Sequence, residues 1–426
     1  MDRERAETYL RLLAEGEVRR AMNAPAGRRG WWSTRLELAA QALCALGAVG
    51  VDVANTVQAD FALAVAERRD LPAPHLIPER DEPAPRQASR RVVPVGQVLT
   101  IGDGDVRREL LLVAYAQSAA GARFMGTGVR FPPFPATDDR GVRYQISWMI
   151  GPAAMEMLLR PDPRHQIRWL DLITDAGQPA IRIHLDPQVP VPDVTVTRDA
   201  HSPGELMLDA IAARILLTAA PSPEQVAADA ELRSFIGAGP GYIVAALAGA
   251  GLLPPDSPLP GQLAGLCTRI GLDGHGITAR PAGDLPERWS GLLTRQRERA
   301  VPPAPAILAA TVAELPELDG ARITIAGLHH AEGRTIMHLL VSGVTLDHDW
   351  PYDRGTRPML MLWVHDSNGC WHATRPASVS EWGNAIRTCL EIIPPLDRGT
   401  AWIEVLISGR SAQARVTLPL SPGPHS

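Results

Sequence analysis

The chain has 426 residues, with 42 basic against 47 acidic side chains and a net charge of −5. A general nucleic-acid binder needs a basic surface from which counterions are released, so this balance argues against one. Every basic residue is an arginine. Without lysine there is no Walker-A phosphate loop, no Schiff-base or pyridoxal-phosphate attachment and no usual protein-kinase site.

The start, MDRERAETYL, alternates charge and lacks the apolar core of a secretory signal. Ala39 to Val51 is apolar but short of the ~20 residues a membrane span needs. Cys44, Cys267, Cys370 and Cys389 form no C-x-x-C pair, which fits free thiols and a cytoplasmic setting.

Residues 1–70 read as a helical module. Tyr9, Leu10, Leu12, Leu13, Val18 and Met22 repeat at helical spacing, and Pro25 and Gly27 stop the run. Ser33 is placed as the N-cap of a second helix, which Gly47 and Gly50 break. Asp52 is placed as the cap of a third. The RRGWW stretch, Arg28 to Trp32, suits a tryptophan pair packing one helix on its neighbour. Residues 71–91 are rich in proline and charge and read as a linker, because proline removes a backbone donor.

Residues 92–188 read as a first β-sandwich. It includes a buried strand at Glu109 to Ala116, a proline-rich crossing FPPFPATDDRG, and a tight turn at Asp138, Asp139 and Gly141. Residues 189–300 return to helices and loops, with a stripe at Leu206, Leu208, Ile211, Ile215 and Leu216. Phe235 to Gly241 reads as a glycine-rich turn before a helix at Tyr242 to Leu247. It lacks the preceding strand and the G-x-G-x-x-G of a phosphate cradle. A second linker, 301–317, leads to a second sandwich at 318–420 and a tail at 421–426.

The two sandwich stretches match each other. Pro161 to Leu185 aligns without a gap on Pro394 to Leu418, with Pro161/Pro394, Trp169/Trp402 and Arg182/Arg415 identical. The pattern is a strand's alternation of apolar and polar residues. Folding back at Asp175–Gly177 puts Asp171 opposite Arg182. The equivalent turn at Ser408–Arg410 puts Glu404 opposite Arg415. Both hairpins then keep aliphatic residues inside and charge outside, which a one-residue slip would reverse. Trp169, Asp171, Arg182, Trp402, Glu404 and Arg415 are therefore the candidates for a binding face, set against the plainer reading of solvated surface pairs.

Histidines crowd the second sandwich at 329, 330, 338, 348, 365 and 372, with Asp347, Asp349 and Asp366 among them. His338, His348, His365, His372 and Asp366 are the candidate ligands for zinc, which takes imidazole nitrogen and carboxylate oxygen. No H-E-x-x-H or H-x-H spacing supports the set, and histidines at strand ends are the competing reading. Cys370 and His372 share a strand face as nucleophile and base would, although a structural cysteine is the plainer assignment. There is no G-x-S-x-G elbow.

The D-x-x-G turn, the L-x-[LI] strand, the proline turn and the W-[LI]-[DE]-[LV] hairpin resemble immunoglobulin-like sandwiches in uncharacterised proteins of high-GC Gram-positive bacteria. AETYLRLLAEGEVRRA near the start has the same look. The resemblance implies a fold and carries no activity, cofactor or catalytic residue. The expected fold is α+β: two immunoglobulin-like antiparallel sandwiches alternating with two small helical modules. The expected function is non-catalytic binding or scaffolding toward a protein partner, with no cofactor. A metal-dependent hydrolase-like enzyme using the histidine group is the alternative.

Overall fold

The computed structural model describes residues 2–23, 33–68, 91–103, 106–118, 121–127, 134–150, 155–173, 180–185, 197–219, 230–271, 277–295, 306–309, 313–315, 317–318, 320–342, 362–382, 385–397, 399–409 and 412–420. The RRGWW stretch, the proline-rich linker up to residue 90, the tail and His348 with its neighbouring aspartates lie outside them.

Three helices open the chain: α1 Arg3–Met22, α2 Thr34–Ala45 and α3 Val51–Arg68. Ser33 caps α2 as expected, its hydroxyl accepting from the Leu36 amide at 3.1 Å. Asp52 does not cap α3. It lies inside the first turn, where its charge still opposes the positive end of the helix dipole.

After the first group of strands come α4 Pro203–Ala219, α5 Ala230–Gly249, α6 Leu259–Arg269 and α7 Glu287–Arg295. The turn expected at Phe235 to Gly241 is instead helix, for α5 runs through Pro240. Local propensity is overruled here by packing: Ile243, Val244, Ala246 and Leu247 of α5 are buried in the helical core. The helices preceding the first sheet and those preceding the second share this single apolar core. Tyr9 of α1 lies so close to Gly249 of α5 that a β-carbon there would sit 2.2 Å from its ring.

The strands form two large antiparallel sheets. The first has the order β1-β2-β3-β6-β5-β4-β7-β8. Its strands are β1 Arg91–Asp103, β2 Val106–Ser118, β3 Gly121–Thr127, β4 Phe134–Asp138, β5 Arg143–Ile150, β6 Met155–Arg160, β7 Trp169–Leu172 and β8 Ile181–His184. Part of the expected proline-rich crossing is thus strand β4. The second sheet has the order β10-β12-β13-β16-β15-β14-β17-β18-β9, with the two-residue β11 Ala313–Glu314 beside β12. It comprises β9 Thr197–Ala200, β10 Ala306–Ala309, β12 Arg322–Ala331, β13 Arg334–Ser342, β14 Leu362–Asp366, β15 Trp371–Trp382, β16 Ala385–Ile393, β17 Trp402–Ser408 and β18 Ala412–Pro419.

From β10 to β18 the second order repeats the first strand for strand, and among the described residues β9 and the short β11 are additions. The matched prolines also agree, since Arg160–Pro161 and Ile393–Pro394 are both cis. Each sheet curls around its own core, and β1 comes round to lie against β8. The first core holds Tyr115, Phe124, Met157, Leu170 and Ile183; the second holds Met337, Leu339, Val364, Val405 and Val416. Each such side chain, fully buried, contributes roughly 1.5–3 kcal/mol.

The hairpin registers were half legible. Asp171 does pair with Arg182, Leu170 with Ile183 and Leu172 with Ile181. In the second copy, however, Glu404 faces Thr417 and Arg415 faces Leu406. The strands there run on until Ser408 meets Gln413, and the Gly409 amide donates to the Ala412 carbonyl at 2.8 Å. The register is therefore two residues off the expected one. A shift of two preserves which face each side chain takes, so Arg415 stays outside and Val416 inside. Glu404 and Arg415 meet on the diagonal at 3.7 Å.

Two further contacts join these parts. The outer face of β12 and β13, with Ala326 and Leu340, packs against Leu111, Val113 and Ala114 of β2. On another face of the second sheet, Trp363 and Trp371 enter the helical core.

Candidate functional site

Each sheet carries a buried aspartate at the same place, the first residue of a D-x-x-G turn. Asp138 is 1% exposed and Asp366 is fully buried. One carboxylate oxygen of Asp138 accepts the amides of Arg140 and Val142, both at 2.9 Å. One oxygen of Asp366 accepts those of Asn368 and Cys370, both at 2.9 Å. This is a side chain closing its own turn, the reason aspartate favours such positions. The other oxygen takes a side chain six residues on. Tyr144 Oη donates to Asp138 at 2.7 Å, and His372 Nε2 lies 3.2 Å from Asp366.

Burial works against the charge of both carboxylates. The donors outweigh it: Tyr144, Val142 and Arg140 hold Asp138 below its ordinary pKa, and His372 and Cys370 do the same for Asp366. The Tyr144 phenol is pushed up, by burial first and then by the carboxylate it serves.

Asp138, Asp139 and His165 bring three potential ligand atoms within 4.8 Å of one another. Much of that capacity is committed. His165 Nε2 is 2.8 Å from Asp138, yet no directed hydrogen bond joins them. Asp139 accepts the Arg168 amide at 3.0 Å. His165 also borders a cleft of about 780 Å³ with Arg91, Gln117, Ser118, Asp162 and Arg164. This trio escaped the sequence reading because the acids read as turn residues. The signal was an acidic doublet in one turn with a histidine soon after the matched proline.

The histidines of the second sheet separate. His372 is buried, its Nδ1 2.6 Å from the Pro394 carbonyl and its Nε2 on Asp366, so both nitrogens are used inside the fold. His365 stacks on Trp371 with 4.6 Å between ring centres and meets the edge of Trp402. His338 lies on the face of β13 opposite Met337 and Leu339, the same face as Leu340. Among the described candidates, then, Asp366 and His372 come together, while His338 and His365 go elsewhere. Cys370 does not pair with His372, for its sulfur points to the Asn368 carbonyl at 3.8 Å.

A cysteine–histidine contact exists at residues that no local pattern connects. Arg387 Nη2 lies 3.0 Å from Cys389 Sγ, Cys389 Sγ 3.3 Å from His338 Nδ1, and His338 Nε2 3.1 Å from His329 Nδ1. Cys389 and His338 are cross-strand partners, which is what brings them together. Burial pushes both histidines from 6.5 down to about 3, so they are neutral. Arginine can only donate, so Cys389 Sγ accepts from Arg387, and the roles further along the row follow the histidine tautomers. Cys389 and His338 are both fully buried, and the row forms part of the packing of the sheet. Cys44 and Cys267 are also buried, with thiols pushed up to about 11, the opposite of a reactive cysteine.

The solvent side of β7 and β8 is different in kind. Arg182 makes two 2.8 Å bonds to the carboxylate of Asp171 and stacks 3.8 Å above the centre of the Trp169 ring. The guanidinium is thereby fixed in orientation while about half of its side chain stays exposed. The second copy is looser, with the 3.7 Å Glu404–Arg415 contact and Trp402 38% exposed beside His365.

A wider cleft, about 1220 Å³, lies elsewhere, bordered by Asp2, Arg5, Ser202, Val244, Gly251 and Arg280. No helix among the described residues is long and apolar enough to cross a membrane. Comparison with protein-family models, curated proteins and solved structures found no match for this chain.

Proposed function

We propose that the chain is a non-catalytic binding or scaffold protein that engages a protein partner through its sheet surfaces, with each sheet an immunoglobulin-like sandwich preceded by a helical module. One observation carries the reading. The buried polar groups best suited to chemistry spend their hydrogen bonds within the fold, whereas Trp169, Asp171 and Arg182 form an ordered polar–aromatic patch facing solvent. Trp169 is half-buried beneath the exposed Arg182, and tryptophan and arginine held rigid at a surface are residue types enriched in protein–protein contacts.

The test is affinity capture with cross-linking, comparing wild type with the double variant Trp169→Ala/Arg182→Glu at matched melting temperature. Proteins retained by the wild type and lost by the variant support the reading. Identical retention by both overturns it for this patch.

The metal-dependent alternative is favoured by a different observation, the convergence of Asp138, Asp139 and His165. Those three residues would hold the ion, and a bound zinc would supply a polarised water. Elemental analysis of purified protein decides. Stoichiometric zinc that disappears in Asp138→Asn and His165→Ala supports the enzyme, whereas zinc unaffected by either variant counts against this site. Loss on mutating His365 and His372 instead would point to the second sheet.

A further inference from the structure

Strand β16 sends its side chains to two faces. Ile386, Leu390 and Ile392 enter the core of the second sheet, so Arg387 and Cys389 take the opposite face. That face is covered as well. Arg387 is 6% exposed and Cys389 is fully buried. Leu340, the cross-strand partner of Arg387, packs on the first sheet.

A guanidinium keeps its charge at any ordinary pH. Burying it without a counter-charge is strongly destabilising. Among the described residues no carboxylate meets Arg387. Glu391, further along the same face, is taken by Arg375 at 2.9 Å. Arg387 Nη2 donates to Cys389 Sγ at 3.0 Å, and the two histidines beyond are neutral. Arg387 Nε has no acceptor among the described residues.

A second buried group on this face lacks a partner. Ser378 of β15 lies directly opposite Cys389, and its hydroxyl is buried without a hydrogen bond. Side chains paired in this way have β-carbons about 4.5–5.5 Å apart. The guanidinium already touches the Cys389 sulfur, so it neighbours the Ser378 hydroxyl. Two donors thus stand beside one uncompensated positive charge.

Three species could answer that demand, and their chemistry separates them. Water accepts hydrogen bonds but brings no charge. A Cys389 thiolate brings the charge but leaves Arg387 Nε and the Ser378 hydroxyl bare. An anion from solution supplies both. We propose that Arg387 Nε and Ser378 Oγ bind a monovalent inorganic anion of the chloride class, on the outer face of the second sheet beside its packing on the first. A single positive charge sets the valence. Burial selects an ion that sheds its water readily, so chloride and bromide fit, whereas fluoride and sulfate do not. The site goes beyond the reading of the chain as a binding protein and does not depend on it.

Thermal melting of the full chain gives the first test, with sodium gluconate exchanged for chloride, bromide or fluoride at constant ionic strength. Chloride and bromide should raise the melting temperature along a saturating curve, as a ligand of the folded state does. Fluoride should leave it unchanged. Ser378→Ala should weaken the apparent halide affinity at least about tenfold. Arg387→Met fills similar space without charge, so it should fold and show no response to halide. A wild-type melting temperature indifferent to halide overturns the site, and an ultraviolet thiolate band lost in Cys389→Ala would then name the sulfur as counter-ion. A halide response retained in Arg387→Met also overturns it.

Anomalous scattering from crystals of the full chain grown in bromide is the second test and needs no variant. A bromide between Arg387 Nε and Ser378 Oγ is the expected result. Bromide found only elsewhere overturns the proposal, whatever halide does to the melting temperature.

Discussion

Tyr144 stands to Asp138 as His372 stands to Asp366: six residues on, across one tight turn, with a ring donor on a buried carboxylate. The two pairs use different chemistry for one task, pinning the far strand of a hairpin to the turn that starts it. Removing a donor leaves a buried charge less well satisfied. Tyr144→Phe should therefore lower stability by about 1.5–3 kcal/mol, the range for hydrogen bonds to charged groups. Asp138→Ala should cost at least as much, because three donors lose their acceptor together. Urea titrations of both variants check this. A loss below about 0.5 kcal/mol for Tyr144→Phe would mean the turn holds without it.

The pH dependence has two overlapping windows. His329 and His338 take up protons at 6.5 when unfolded but only near 3 when folded. Between these values the unfolded chain binds more protons, so stability is full above 6.5 and falls as pH drops toward 3. The slope is about 1.4 kcal/mol per pH unit for each proton. The two rings are bonded to each other, so the effect belongs to the pair. Asp138 and Asp366 act lower. Their folded pKa lies below the ordinary 3.8, so their contribution is present above that value and is lost as pH falls beneath it. Melting temperatures from pH 7 to 4 should drop in wild type and drop less in His338→Gln. Equal slopes in the two proteins would remove the buried-histidine explanation.

Asp209 joins three parts of the molecule. It is 2% exposed on α4 and accepts from Arg288 Nε at 2.7 Å, Trp289 Nε1 at 2.6 Å and Trp363 Nε1 at 2.9 Å. Two helices and strand β14 of the second sheet are tied at one carboxylate. Asp209→Ala leaves a partly buried guanidinium and two fully buried indole donors without their acceptor, at a cost of about 3–5 kcal/mol. Tryptophan fluorescence should change in the same variant, since two indoles lose their acceptor. A fluorescence change without loss of stability would show that water replaces the carboxylate.

Much of the architecture was legible because it rests on period. Ile181, Arg182 and Ile183 declare a half-buried strand from three letters, and Ser33 declares a helix start from one. What was missed rests on distance in the chain. Asp209 and Trp363 are 154 residues apart, and no local pattern connects them. The Cys389–His338 contact depends on cross-strand pairing between β13 and β16, which alternation alone does not fix. Helix α5 through Pro240 shows the same thing from the other side, where local letters signalled a turn and neighbouring helices decided otherwise. The two-residue change in the β17–β18 register went unseen because alternation is blind to even shifts.

Gly327 tests how the two sheets meet. It lies opposite His338 with φ of 144°, and a β-carbon there would come within 2.7 Å of Leu111 Cδ2 and 3.0 Å of the Ala309 carbonyl. Gly327→Ala therefore adds an unfavourable backbone angle to a collision between sheets, at roughly 1–3 kcal/mol or more. Gly320→Ala is the control, with φ of 83° and nothing within 4 Å, so the backbone cost of about 1–2 kcal/mol stands alone. Leu111→Ala should cost about 2–5 kcal/mol by itself, since Leu111 is fully buried between the sheets. Combined with Gly327→Ala it opens room for the new methyl, so the double variant should lose clearly less than the sum, by at least about 0.5 kcal/mol. Strict additivity in urea titration would mean that Leu111 and Gly327 do not touch and that the sheets pack by some other face.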